Sequence, residues 1–451
     1  MLVLFYLHTK DKNVIVCYIK QMEKPNSTNK TNHYDVVVIG GGASGMMAAG
    51  TAAARGKRVL LLEKNKYMGE KLKISGGGRC NITNDESNLR LFLKNYVHED
   101  NTDQFLFSAF SQFNKDNTFE FFTSRGLPLV VEARKRAFPH TQSALDVYHT
   151  LEKYLFDSGV TVKTNSPVSK IIFEKEKTPH NVTGVVAGGV TYTADSFIFA
   201  TGGLSHPETG STGDGFKWLE GMGHKVVEST PSIVPLAVRE EYIHKLAGVS
   251  LSFMKVTFFV DQKKSFSKKG KILFTHFGLS GPLILNSARK VKDLLIEGEV
   301  TATIDMYPDT DLGTLDKNIV KVFDNNKNKM FKNVMAEIVP EGMADAVNTM
   351  ATSLLGIDID TKVHSISKEQ RKALVALIKA VPMTITGLMG YDRAVVADGG
   401  VPLADMDTKT MRSILYPNVF IIGDLLHINR PSGGFSLQLC WTTGYVAGMN
   451  A

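Results

Sequence analysis

Apolar and polar positions fall into blocks of distinct period along this chain. The first strong block is "YDVVVIGGGASGMMAAGTAAARGKRVLLLEKN", starting at Tyr34. Val36 to Ile39 is an unbroken β-branched run, the pattern of a parallel strand buried on both faces. Ala-rich helix is expected from about Ala43 to Arg55, and Val59 to Leu62 reads as a second buried strand, so the block predicts a βαβ unit. Helical patterns follow over roughly 102–125 and 142–157. Short strands are expected at "VTVKTN", "KIIFEK" and "NVTGVVAGGVTYTAD", the last with hairpin character. "SFIFATGG" (196–203) is another buried strand that ends on glycines.

The texture then changes. "VSLSFMKVTFFV" (249–260) and "EVTATIDM" (299–306) read as antiparallel strands, and 312–380 reads as helical. The last helix there is well signalled. Ser367 and Gln370 fit a capping box, and Ala373, Leu374, Leu377, Ile378 and Val381 share a face. The tail, "PNVFIIGDLLHINRPSGGFSLQLCWTTGYVAGMNA", returns to buried strand, glycine turn and helix. Both chain ends are therefore expected to build one α/β nucleotide domain, with the middle inserted into it.

Composition adds bounds. The 451 residues are 43% hydrophobic and 22% charged, values that allow a sizeable core. Cys17, Cys80 and Cys440 are far apart and lack metal-ligand spacing, which points to a reducing, cytoplasmic setting without structural metal. No apolar run is long enough to span a bilayer, so no membrane is expected. The opening 24 residues make a poor signal peptide. Residues 21–33 are polar and Asn-rich and read as disordered, and Met22 is an alternative start. The net charge of +7 fits either a lysine-rich solvated surface or a polyanionic partner such as RNA.

Gly40, Gly42 and Gly45 form GxGxxG between a buried strand and a helix, and Glu63 ends the next strand. That context separates a dinucleotide site from a ligand-free glycine turn. Gly40 makes the tight turn, Gly42 lets a pyrophosphate approach, and Gly45 lets the helix pack on the strand. Ala43 and Ser44 open the helix, whose free N–H groups favour phosphate. Glu63, followed by Lys64, can accept from ribose hydroxyls and repels a 2′-phosphate, leaving FAD or NAD. Gly423 and Asp424 in "VFIIGDLLH", with Ala200, Thr201 and Gly202 in "FATGG", favour FAD. Asp424 is alternatively a helix N-cap. A second strand–GxGxxG–helix unit and a CxxC are both missing from the sequence, so any NAD(P)H docks transiently or the flavin is reduced some other way.

"SGGGRCNITN", "ATGGLSHPETGSTGDG", "FTHFGLSGP" and "GGFSLQLCWTTGYVAG" together resemble the BaiN/RdsA-like flavoproteins. That family is also called aminoacetone oxidase family FAD-binding enzymes or NAD(P)/FAD-dependent oxidoreductases. The resemblance runs from about Tyr34 to the C-terminus. Residues 1–33 lie outside it and read as a disordered extension; the resemblance implies a Rossmann-like FAD domain from 34–226 and 381–451, a β-barrel-like insert over 227–306, and a helical insert over 307–380 returning to the barrel. It places the 75–84 loop beside the flavin. Gly76, Gly77 and Gly78 would let backbone pass closely, while Arg79, Asn81 and Asn84 would supply donors and acceptors or else cap local turns. Val168 would add a cofactor contact. Gly433, Gly434 and Phe435 would open the last helix toward the flavin pyrimidine, where its partial positive charge favours negative charge near N1.

Cys80 is a candidate proton donor or nucleophile, against the commoner reading of an inert core thiol. Cys440 reads as core. Arg136 in "RKRAFPH" is a candidate active-site cation or a surface charge. Asp214 is a candidate N-cap or ligand contact. The segment "HINRP" departs from the acidic stretch of many family members, and His427 and Arg430 make it more basic. The resemblance implies hydride transfer through flavin N5. Three readings follow: reduction of an activated C=C bond in a small molecule, reduction of uridine to dihydrouridine in large-subunit ribosomal RNA, and a non-enzymatic flavin-binding protein.

Overall fold

The computed structural model describes residues 32–96, 102–174 and 180–451, with backbone alone for 102–104. Cys17, the N-terminal extension and the alternative start at Met22 lie outside the described residues, apart from the extension's last two positions. The first block folds as its pattern dictates. His33–Ile39 pairs in parallel with Val59–Leu62, and helix Ala43–Ala54 packs between the two ends of the chain. Three further parallel pairings complete the layer. Val59–Leu62 pairs with Thr161–Lys163, and His33–Ile39 pairs on its other side with Val190–Phe199, which pairs with Val419–Ile421. The strand order thus runs from 419–421 through 190–199, 33–39 and 59–62 to 161–163. The first half of Val190–Phe199 also turns antiparallel against Asn181–Ala187, the expected hairpin.

The terminal helix Phe435–Asn450 lies against helix Ala43–Ala54 at very close range. A Cβ on Gly444 would sit 2.5 Å from the Ser44 carbonyl oxygen, and one on Gly448 would sit 2.5 Å from that of Ala48. The four-residue glycine spacing is therefore what lets the two chain ends meet. One hydrophobic core joins residues 34–222 with 401–451.

A second core lies within 234–394. Here a closed barrel runs in the order Leu236–Val238, Gly278–Ser280, Lys263–Thr275, Ser250–Val260, Val300–Asp305 and Val381–Leu388. Helices Leu312–Asn325, Ala344–Leu355 and Lys368–Lys379 pack beside it. The Ser367 hydroxyl accepts from Gln370 N at 3.1 Å, and Gln370 Oε1 accepts from Ser367 N at 3.0 Å, so that capping box forms. Val381 does not continue the helical face. It starts a barrel strand, because Ala380 breaks the helix and Ile304 receives Val381 as its cross-strand partner. The expected domain boundary at 381 therefore falls inside the barrel, and the return to the first core comes after Leu388. An antiparallel pair, Val227–Ile233 with Val396–Gly400, joins the two bodies.

Candidate functional site

A cleft of about 980 Å³ runs along the carboxyl ends of the parallel strands, where open α/β sheets place their ligands. At one end is the GxGxxG turn. Gly40 has φ +105°, and a Cβ there would meet the Ala200 carbonyl oxygen at 2.5 Å. A Cβ on Gly45 would lie only 1.9 Å from the Gly40 carbonyl oxygen, so this glycine sets helix-on-strand contact and does not line the cleft. Gly42 is different. It lines the cleft and a Cβ there would meet nothing within 4 Å, so the space it opens is ligand space. Helix Ala43–Ala54 begins here without a side-chain cap, leaving its N–H groups toward the cleft lined by Ala43 and Ser44.

Glu63 is buried, and its two oxygens accept from Gly41 N and Asn65 N, each at 2.7 Å. Burial raises its pKa, and these two backbone bonds partly oppose that. The carboxylate thus holds the glycine turn in shape and keeps lone pairs for a ligand at the cleft wall. Lys64 turns aside to Asp214, at 2.8 Å. Asp214 lines the cleft as the first residue of its helix, and Gly213 is the cap. Val168 lines the same end, with Ser166 and Pro167.

The middle of the cleft is set by the two other strand ends. Ala200, Thr201 and Gly202 line it, as does Asp424. Gly423 does not. Its φ of +65° carries the chain past the Ser44 hydroxyl, which a Cβ would meet at 2.7 Å. Asp424 is bonded to Arg430, and the ammonium of Lys71 lies 3.6 Å away. Burial works against its ionisation, but Arg430 and Lys71 win and hold its carboxyl below the usual range. Arg430 is buried and does not line the cleft, so it neutralises Asp424 and adds no free charge to the site. Lys71, which the sequence pattern did not single out, brings positive charge to this middle part of the cleft, with Ser205 as its hydroxyl partner at 3.1 Å.

The far end holds the SGGGRCNITN loop and the start of the terminal helix. Gly76, Gly77 and Gly78 all have positive φ. Gly76 and Gly77 line the cleft, and Gly78 points away from it. Cys80 is also left-handed, is fully buried and does not line the cleft. Burial pushes its thiol up to about 12 despite a bond to Ser75, and its place in the core, off the cleft, fits the inert core thiol better than the nucleophile or proton donor considered from sequence. Cys440 is buried, as expected, and also borders the cleft, its thiol likewise pushed up to about 12 by burial and by Asp424.

The polar hooks of the loop are already engaged. Asn84 Nδ2 donates to the carbonyls of Gly433 at 3.1 Å and Arg134 at 3.2 Å. With its amide in the orientation that satisfies both ends, Asn81 accepts from Gly434 N at 3.0 Å and donates to Thr83 O at 3.1 Å. Arg79 donates to Gln142 at 2.7 Å, pairs with Glu132 and stacks over Phe138. These residues line the cleft, yet Asn81 and Asn84 fix the loop to the Gly433–Gly434 turn and Arg79 ties it to Glu132 and Gln142. Gly434 must be glycine, since a Cβ would meet the Thr83 carbonyl at 2.3 Å. Phe435 lines the cleft, and its carbonyl accepts from the buried Tyr96 hydroxyl at 2.8 Å. Arg136 also lines the cleft, held by Glu132 at 3.8 Å and by the Ala133 carbonyl at 3.1 Å. Pro282, Leu285 and Asn286 of the barrel body roof this end, and Asn286 Oδ1 accepts from Ser432 N at 3.0 Å.

Among the described residues no group of three or more His, Cys, Asp or Glu side chains could hold a metal ion, and no helix is long and apolar enough to cross a membrane. The model of the HI0933-like protein Rossmann domain matches residues 34–450, nearly the whole chain. The chain belongs to this family. It is a family of flavoprotein oxidoreductases. Two relatives match along their length. The ribosomal RNA dihydrouridine synthase of Escherichia coli is 26% identical over 91% of this chain and 96% of its own. The 3-dehydro-bile acid delta(4,6)-reductase of Clostridium scindens is 28% identical over 89% and 95%. In fold the chain is similar to the 3-ketosteroid delta1-dehydrogenase of Sterolibacterium denitrificans, with a TM-score of 0.52 at 15% identity over 93% of this chain and 99% of that one.

Proposed function

We propose that this protein is a FAD-dependent reductase that reduces an activated carbon–carbon double bond in a small molecule. One observation carries the reading: a single cleft joins the Gly42 phosphate turn to the Gly77 loop and the capless start of the terminal helix, so both ends of an extended dinucleotide have matching walls. FAD bound there supplies hydride at N5. Gly42 and the N–H groups of the helix behind it hold the pyrophosphate, and Glu63 takes the ribose hydroxyls. Lys71 and the N-terminus at Gly434 favour negative charge on the cofactor. The tight fastening of Asn81, Asn84 and Arg79 gives the loop one geometry, which is the protein's main contribution to such chemistry. A transiently docked NAD(P)H is the electron donor in this reading.

The test begins with the purified protein. It should carry or take up FAD, absorb near ~450 nm, be bleached by NADH or NADPH under anaerobic conditions, and be reoxidised by an enone but not by the saturated ketone. A colourless protein that cannot take up FAD sinks the proposal.

A second reading is favoured by the barrel surface. Lys255 and Lys269 face each other directly across the Ser250–Val260/Lys263–Thr275 ladder, and Lys269 is paired with Asp309. Lys268 donates to the Asn286 carbonyl at 2.9 Å at the cleft roof, and burial plus Lys290 disfavour its charge. Lys268 at the cleft roof, with Lys290 near it, suits a polyanion, and so supports reduction of uridine in large-subunit ribosomal RNA. Deleting the gene and measuring dihydrouridine in that RNA separates the two. Loss restored by the gene but not by its Gly42→Trp version supports RNA, and unchanged dihydrouridine removes it.

A further inference from the structure

The hairpin Leu129–Glu132/Arg136–Pro139 turns at the cleft rim through Ala133, Arg134 and Lys135. Arg134 (φ +62°) and Lys135 (φ +58°) are both left-handed. Glycine or asparagine takes that conformation cheaply, and paired left-handed turn positions are usually Asn-Gly. Two long cations there cost stability. The turn is nevertheless fixed at its base. The buried Asn84 amide ties the Arg134 carbonyl to Gly433, and Asp85 N donates to the Lys135 carbonyl at 2.7 Å.

The cations of this rim differ in their partners. Arg79 and Arg136 share Glu132, and Lys135 pairs with Glu86 at 2.7 Å. Arg134 is exposed and lines the cleft, and among the described residues its guanidinium has no ion pair and no hydrogen bond. Four cations against two carboxylates leave the rim positive. A strained backbone that places an unpaired, exposed Arg at the rim of a cleft points to a role in what the Arg meets there.

We propose that Arg134 receives an anionic group of the substrate, a carboxylate or a phosphate, and so restricts the enzyme to acidic substrates. A guanidinium fork matches either group in bidentate geometry. The inference rests on the flavin reading of the cleft.

The test uses FAD-loaded protein at fixed ionic strength and calorimetric titration with cinnamate, phenyl phosphate and the neutral cinnamide. The flavin band is recorded on the same samples. The anions should bind at least about tenfold tighter than cinnamide, as expected for a charge-assisted pair. Arg134→Gly should lose that preference, leave cinnamide unchanged and raise Tm by relieving the turn, while Arg134→Lys keeps part of the preference. Cinnamate preferred over phenyl phosphate identifies a carboxylate, and the reverse order a phosphate. Anion affinity unchanged in Arg134→Gly, or no preference for anions in the wild type, overturns the proposal. A protein without a flavin band instead refutes the flavin reading, and the calorimetric preference still judges Arg134.

Discussion

The Thr83 hydroxyl donates to Gln438 Oε1 at 2.6 Å, across 355 residues of sequence and with both side chains fully buried. Gln438 also accepts from the Thr118 hydroxyl at 2.9 Å and donates to that of Thr442 at 3.1 Å. One amide therefore pins the SGGGRCNITN loop to the terminal helix. Replacing it with Leu leaves the buried Thr83 hydroxyl only the long contact of 3.5 Å to the Asn84 carbonyl, while Thr118 keeps the Asn114 carbonyl at 3.1 Å. Gln438→Leu should cost about 1–3 kcal/mol and weaken flavin retention, read by urea unfolding and by flavin released on gel filtration. A variant as stable as wild type would show that the network relaxes freely.

Gly42 and Gly45 make opposite predictions. A side chain at Gly42 enters open cleft and its φ is ordinary, so Gly42→Trp should keep the circular dichroism and Tm of the folded protein while losing FAD. Gly45→Val drives a Cβ into the Gly40 carbonyl and should destabilise the whole domain by more than ~2 kcal/mol. A Gly42→Trp protein that retained FAD would displace the cofactor from this turn.

The βαβ unit, the hairpin beginning at Asn181 and the joining of both chain ends were legible because buried parallel strands and glycine turns leave local signals. Barrel closure was not, since the Leu236–Val238 strand owes its place to partners at 278–280 and 381–388. The roles of Asn81, Asn84 and Arg79 were also hidden. Residue type marks a polar hook, but only tertiary placement decides whether it meets a ligand or the Gly433–Gly434 backbone. Lys71 had no motif of its own. Its meaning comes from two strand ends more than a hundred residues away.

Both described thiols should resist alkylation in the native state. Cys80 and Cys440 are buried with thiols pushed up to about 12, so thiolate is scarce at neutral pH. Peptide mapping after iodoacetamide should find both unmodified until denaturant is added. Cys80→Ala should keep flavin reduction within a few-fold of wild type. A loss of about a hundredfold or more would return Cys80 to the chemistry.

Asp424 gives the pH dependence. Its folded carboxyl titrates below its unfolded value, because Arg430 and Lys71 outweigh the cost of burial. Such a group contributes stability that is fully present above the unfolded carboxylate pKa of about 3.9. The contribution disappears as pH falls through the lower folded value. Asp424→Asn removes it at every pH and leaves Arg430 charged and buried, a loss of roughly 3–5 kcal/mol near neutrality for a broken buried pair. The gap between wild type and variant in urea midpoint should therefore be widest at neutral pH and shrink below pH ~4 as the wild-type carboxylate protonates. The Arg430→Met, Asp424→Asn double variant should recover part of the loss, since neither charge is then stranded. A gap that stays constant into acid would mean that the Asp424–Arg430 pair is not what stabilises this strand end.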